Sequence, residues 1–160
     1  MVLRQCIERH LAGFESTCTA NSGGTSLRGD ETERFAIAWL QTRGYLLVAR
    51  RLKTPYAEID LLIRNPVSKE WLVVEVKSSL WPDGLALGLS RKQRARLWRA
   101  SLWIQDELVQ ILSERTLKPE ALEDLVTEDA EDLDVRLNLV LLVREEGMMH
   151  RVGFRFLPIF

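Results

Sequence analysis

Between Ala57 and Ser78 the chain carries two apolar runs, AEIDLLIR and WLVVEVKSS, separated by the polar segment NPVSKE. β-Branched enrichment and run length predict a strand, a proline-containing turn and a second strand, most simply a β-hairpin. A hairpin centred between Val67 and Ser68 sets Asp60 across from Glu75, with β-carbons roughly 4.5–5.5 Å apart. Alternation puts Glu75 and Lys77 on one face, Val74 and Val76 on the other, and groups Asp60 with Glu58 and Leu62. Both runs are apolar on both faces, the pattern of central strands, so three charges inside them need a reason.

Two facing carboxylates repel, and the remedies are a shared proton or a bound cation. A few oxygen ligands suit Mg²⁺ or Mn²⁺, which keeps waters and shares its coordination with substrate phosphates. Lys77 beside such a cation can orient or deprotonate an attacking water and stabilise charge on a phosphate. The residues therefore point to phosphodiester hydrolysis, with Asp60 and Glu75 as metal ligands. The bland alternative is a solvated E-x-K stripe or a structural ion-pair cluster, and apolar neighbours on both faces weigh against the first.

These residues also carry a resemblance. Glu33, Ala36, Trp39-Leu40, Gly44-Tyr45, Glu58-Ile59-Asp60-Leu61-Leu62, Val74-Glu75-Val76-Lys77 and Lys92-Gln93-Arg94 follow one another in an order and spacing that resembles the YraN-like family of bacterial proteins. That family is related to Holliday junction resolvases within the PD-(D/E)xK nuclease superfamily, whose usual proline is Ile59 here. The resemblance covers roughly residues 29 to 112. It implies a restriction-endonuclease-like α/β fold, a mixed β-sheet flanked by helices. It also implies Glu33, Asp60 and Glu75 as metal ligands for Mg²⁺ or Mn²⁺, Lys77 as the catalytic lysine, and a branched DNA substrate handled by a homodimer. On spacing alone Glu33 reads as a helix-capping residue; the family pattern moves it into the site, and Glu58 stands beside it as a supporting carboxylate. The chain departs from the family at Thr32 and Ala57, each in place of a glycine, and at Asn138, in place of an aspartate that would matter if it orients a site residue.

The remaining chain gives one domain's worth of sequence, 160 residues at 46% hydrophobic. The first 28 residues read as an extension: a short amphipathic stripe (Leu3, Ile7, Leu11, Phe14) and then a Ser/Thr/Gly-rich linker, with the nuclease-like domain at 29–160. No continuous apolar run marks a signal peptide or membrane span, and Cys6 and Cys18 read as reduced thiols, so a cytoplasmic protein is expected. Asp30 and Glu33 predict a capping box for a helix ending at Gly44. Strands are expected at 45–52, 135–143 and 150–156.

A second capping box at Ser90 and Gln93 opens a long helix with Ala95, Trp98, Leu102 and Val109 as its expected core stripe. Lys92, Arg94, Arg96 and Arg99 crowd its first half, and Lys92, Arg96 and Arg99 share a face with Trp103. That face could grip phosphates, although most such faces are simply solvated. Net charge is −1, yet eight acidic residues lie within 120–134, leaving 22 basic against 15 acidic residues elsewhere. The acidic insertion, around 117–134, is expected to be a solvated loop or a contact for a protein partner. His10 and His150 show no metal-ligand spacing and read as packing or surface residues. Two rivals to a nuclease remain: a nucleic-acid-binding or assembly module without turnover, and a protein-interaction domain whose carboxylates are ion-paired.

Overall fold

A computed structural model of the chain describes residues 2–12, 27–78, 89–116, 137–145 and 148–153. In chain order these form α1 (Val2–Leu11), α2 (Leu27–Gln41), β1 (Leu46–Lys53), β2 (Glu58–Arg64), β3 (Trp71–Ser78), α3 (Arg91–Thr116), β4 (Leu137–Glu145) and β5 (Met148–Gly153). The strands make one mixed sheet in the order β1-β2-β3-β4-β5, parallel only between β3 and β4. A mixed sheet flanked by helices is the α/β class expected. No helix among the described residues is long and apolar enough to cross a membrane.

The β2–β3 turn closes as its chemistry requires. Asn65 Oδ1 accepts from the amides of Val67 and Ser68 at 2.9 and 3.1 Å, the side-chain-mimics-backbone turn that asparagine favours. The register that follows pairs Leu61 with Val74 and Arg64 with Trp71, the register expected, and the ladder stops one step short of Asp60 and Glu75. On the far side Gly44, at φ +80°, ends α2. Its amide reaches Gln41 O at 3.0 Å and the Tyr45 amide reaches Leu40 O at 3.2 Å, the paired bonds of a left-handed helix stop that a side chain would strain.

Each face of the sheet has its own core. On one face α1 and α3 cover Val48, Ala49, Leu52, Ile59, Leu62, Trp71, Val73 and Leu139. On the other, Ala36 and Leu40 of α2 meet Leu61, Ile63, Leu72, Val74, Val76, Val140 and Leu142. β2 and β3 are therefore central strands buried on both faces, as their composition predicts.

Three expectations need correcting. The first concerns the N-terminus: Leu3, Cys6 and Ile7 are 2%, 0% and 0% exposed within the α3-side core, so α1 is part of the domain and not an extension to it. A stripe of only a few apolar positions is enough because α1 packs against both β1 and α3. The second concerns α3, whose buried stripe is Leu97, Ala100, Ser101, Ile104, Leu108 and Ile111, while Leu102 and Val109 stand 42% and 38% exposed, Ala95 is exposed and Trp98 is half-buried. The helix has two apolar stripes one residue apart; the buried one carries only Ser101 as a polar member, whose hydroxyl donates back to Leu97 O at 2.9 Å, whereas the expected stripe is interrupted by Gln105. Trp103 accordingly packs against the core and not with the basic face. The third concerns α2, which starts at Leu27, so Asp30 lies inside it and forms no capping box. By contrast Ser90 and Gln93 make the reciprocal capping bonds at the start of α3, at 3.0 and 3.2 Å.

His10 packs edge-to-face on Trp71 with ring centroids 6.2 Å apart, the packing role expected of it. Burial and the neighbouring Arg64 hold its imidazole below the usual histidine range. Phe14, Cys18, the linker up to residue 26, the acidic insertion and the turn at 146–147 lie outside the described residues.

Candidate functional site

The site forms where the β2–β3 ladder stops. Beyond the Leu61–Val74 pair, Asp60 Oδ2 accepts a hydrogen bond from the Val76 amide at 2.7 Å, so a side chain takes a place that a backbone carbonyl holds in a regular ladder. Glu75, 9% exposed, and Lys77 share a face as alternation requires, and Lys77 Nζ meets Glu75 Oε1 at 2.6 Å. Burial, then the charge of Glu75, pushes the Asp60 carboxyl up to about 7; the Val76 amide and Lys77 pull the other way, and Glu33 adds to the rise. Asp60, Glu75 and Lys77 are thus brought together, and among the described residues Asp60 forms no ion pair while Lys77 is bonded to Glu75.

Glu33 faces the same region but is already engaged. It is 7% exposed, accepts from Arg50 Nε at 2.9 Å, and is forked by Arg51, whose Nε and Nη2 lie 3.1 and 3.2 Å from its oxygens. Asp30 joins the network through Arg50, Arg51 and Arg34. The hydrogen bond from Arg50 holds the Asp30 carboxyl below its usual range, and the two carboxylates in turn raise Arg50 against the cost of its burial. Arg50 and Arg51 were not anticipated from the sequence. Their signal was two consecutive arginines in the middle of an otherwise apolar strand, which alternation should have sent to opposite faces. Glu58 is exposed and paired in register with Lys53 at the hairpin end, so it does not join Asp60.

The donor set fits a hard cation held lightly. Among the described residues no three His, Cys, Asp or Glu side chains form a cage. Asp60 and Glu75 alone match the way Mg²⁺ is commonly bound, through one or two carboxylates with waters and substrate phosphate completing the shell.

The basic helix lies at the same end of the sheet. Arg96 Nε donates to Tyr56 O at 2.9 Å, tying the first turns of α3 to the β1–β2 turn four residues before Asp60. Lys92 and Arg99 are exposed beside it and Arg94 is half-buried.

A model of the uncharacterised protein family UPF0102 matches residues 32–137. The chain belongs to this family. It is 33% identical over 122 residues to a UPF0102 protein of Parvibaculum lavamentivorans, covering 76% of each chain. It is 38% identical over 73 residues to one from Nitrobacter winogradskyi, covering 46% of this chain and 60% of that relative. A third, from Shewanella loihica, is 37% identical over 76 residues, covering 46% and 65%. The UPF0102 segment contains Glu33, Asp60, Glu75, Lys77 and the basic start of α3, and leaves α1 outside it. Membership in UPF0102 carries no activity with it, so the chemistry has to be argued from these side chains.

Asn138, the departure from the family pattern on β4, lies away from them. It pairs in register with Leu72, whereas Glu75 pairs with Leu141, about 10 Å further along the strand. Its amide donates to Glu70 Oε1 at 2.7 Å, and Glu70 Oε2 accepts from Tyr45 at 2.8 Å. Asn138→Ala should therefore cost about 1–2 kcal/mol in urea unfolding, by leaving Glu70 short of a donor, and leave any nuclease rate unchanged. A lost rate in a folded variant would connect β4 to the site after all.

Proposed function

We propose that the chain is a Mg²⁺- or Mn²⁺-dependent endonuclease-like protein that hydrolyses phosphodiester bonds in DNA, branched DNA included. The observation that carries this reading is the Asp60–Glu75–Lys77 group at the open end of the β2–β3 ladder, with the Asp60 carboxyl pushed up to about 7 by burial and by Glu75. Central strands gain nothing in stability from facing carboxylates. A divalent cation held by Asp60 and Glu75 supplies Lewis-acid stabilisation of charge on the phosphate. Lys77, with one of its three donors on Glu75, keeps two to orient an attacking water or meet a phosphate oxygen. The Val76 amide fixes the Asp60 carboxylate, so its position is set before substrate arrives. Lys92 and Arg99, exposed on the first turns of α3, are the charges this reading assigns to the phosphate backbone of bound DNA.

The deciding experiment offers labelled single-stranded, duplex, flap and four-way-junction DNA to the protein with Mn²⁺, Mg²⁺ or chelator. Metal-dependent cleavage supports the proposal and ranks the substrates. Glu33 held by two arginines favours a second reading, a DNA-binding module without turnover, and binding with no cleavage in either metal would establish that one. In both readings Lys92→Gln with Arg99→Gln should weaken DNA binding several-fold and make the log–log salt slope shallower by about 2. An unchanged slope would remove α3 from the interface.

A further inference from the structure

β1 and β2 pair Arg50 with Leu61 and Leu52 with Ile59, but the residues between, Arg51 and Asp60, are absent from the ladder. Arg51 sits at φ +51°, the left-handed region that side chains other than glycine seldom occupy, within a strand. Two consequences are visible. Arg50 and Arg51 are adjacent, so a regular strand would send them to opposite faces, yet both guanidinium groups reach Glu33. On β2, Ile59 belongs to the α3-side core and Leu61 to the α2-side core, although residues two apart should share a face. The alternation on β2 is interrupted once, between Ile59 and Leu61, the stretch that holds Asp60.

We propose that Arg51 is a positioning residue for the carboxylate site: its left-handed backbone, anchored by its guanidinium on Glu33, takes Asp60 out of the β1–β2 ladder and frees its carboxylate to reach the Val76 amide. Strain of this kind persists only where the surroundings over-determine it, and for an arginine the buried fork onto Glu33 is one contact that offsets it. The geometry needs no metal, but its purpose rests on Asp60 and Glu75 being the binding site proposed above.

The test compares Arg51→Gly, Arg51→Asn and Arg51→Val in the full chain. All three remove the guanidinium, so loss of the Glu33 ion pairs is common to them; glycine and asparagine tolerate a positive φ and β-branched valine does not. Hydrogen-exchange protection of the Val76 amide and the Kd for Mn²⁺ are measured on each. The glycine and asparagine variants should keep Val76 protection, whereas the valine variant should lose it at least tenfold and bind Mn²⁺ at least tenfold more weakly than the glycine variant. Equal Val76 protection in folded valine and glycine variants overturns the proposal. If the valine variant does not fold, the glycine variant decides: protection lost there also overturns it. A valine-specific loss at Val76 in a protein whose wild type binds no Mn²⁺ would leave the positioning role standing and sink the metal-site reading instead.

Discussion

Asp60→Asn should abolish metal-dependent cleavage and, at pH 8, make the protein more stable than wild type. The loss of rate follows from removing one of two ligands to the charge-stabilising cation, worth several kcal/mol, or at least about a hundredfold. The gain in stability follows from linkage. The folded carboxyl is pushed from 3.8 up to about 7, so between those values the native state holds a proton that the unfolded chain has released. Stability from this group is therefore fully present below pH 4, declines as pH rises toward 7, and is absent above it. At 1.36 kcal/mol per unit, the penalty at pH 8 has a ceiling of about 4 kcal/mol. Asparagine keeps an acceptor for the Val76 amide and carries no charge, so the variant escapes much of that penalty; a gain of about 1 kcal/mol would raise Tm by roughly 2–4 °C. The difference should shrink as both proteins are melted toward pH 4, and Mn²⁺ should raise the wild-type Tm only. A variant less stable than wild type at pH 8 would mean that the Asp60 charge is structurally satisfied and that the strands were not arranged around a cation.

The way these charges sit in apolar strands explains which parts of the molecule could be read from the chain. The β2–β3 hairpin was legible to the residue because its register is set locally, by a turn whose asparagine caps its own backbone and by strands apolar on both faces. Asp60, Glu75 and Lys77 came with it, since charges in such strands stand out. The orientation of α3 did not, because two stripes a residue apart are nearly equivalent to a periodicity argument and only the sheet chooses between them. The Glu33 network was hidden for a different reason. Reading Arg50 and Arg51 as partners of one helix carboxylate requires a break in alternation, and nothing local to β1 announces a positive φ at an arginine. Glu33 is buried on α2, and what it touches is decided by that break.

Removing α1 should unfold the domain, although α1 lies outside the 32–137 segment shared across the family. Leu3, Cys6 and Ile7 sit in the same core as Val48, Ala49 and Leu52 of β1 and Ile104, Leu108 and Ile111 of α3. A single Ile7→Ala exchange should cost about 2–5 kcal/mol, the range for a fully buried aliphatic side chain that leaves a cavity. Against a total of about 5–15 kcal/mol for a domain, losing all three side chains together exceeds what the remainder can bear. Urea unfolding of Ile7→Ala and of a chain lacking residues 1–12 checks both: the first should shift its midpoint strongly at unchanged slope, and the second should show no cooperative transition. Arg4→Ala makes the matched control, since its 2.6 Å bond to Glu114 is solvent-exposed and its loss should leave the midpoint within error. If the truncated chain melts cooperatively near the wild-type midpoint, the α3-side core closes without α1 and the helix packs against it as a passenger. If it does not, a segment the family pattern leaves out is what seals the apolar face behind Ile59 and Leu62, the residues that flank Asp60 and Leu61 on β2 and hold the site strand in place.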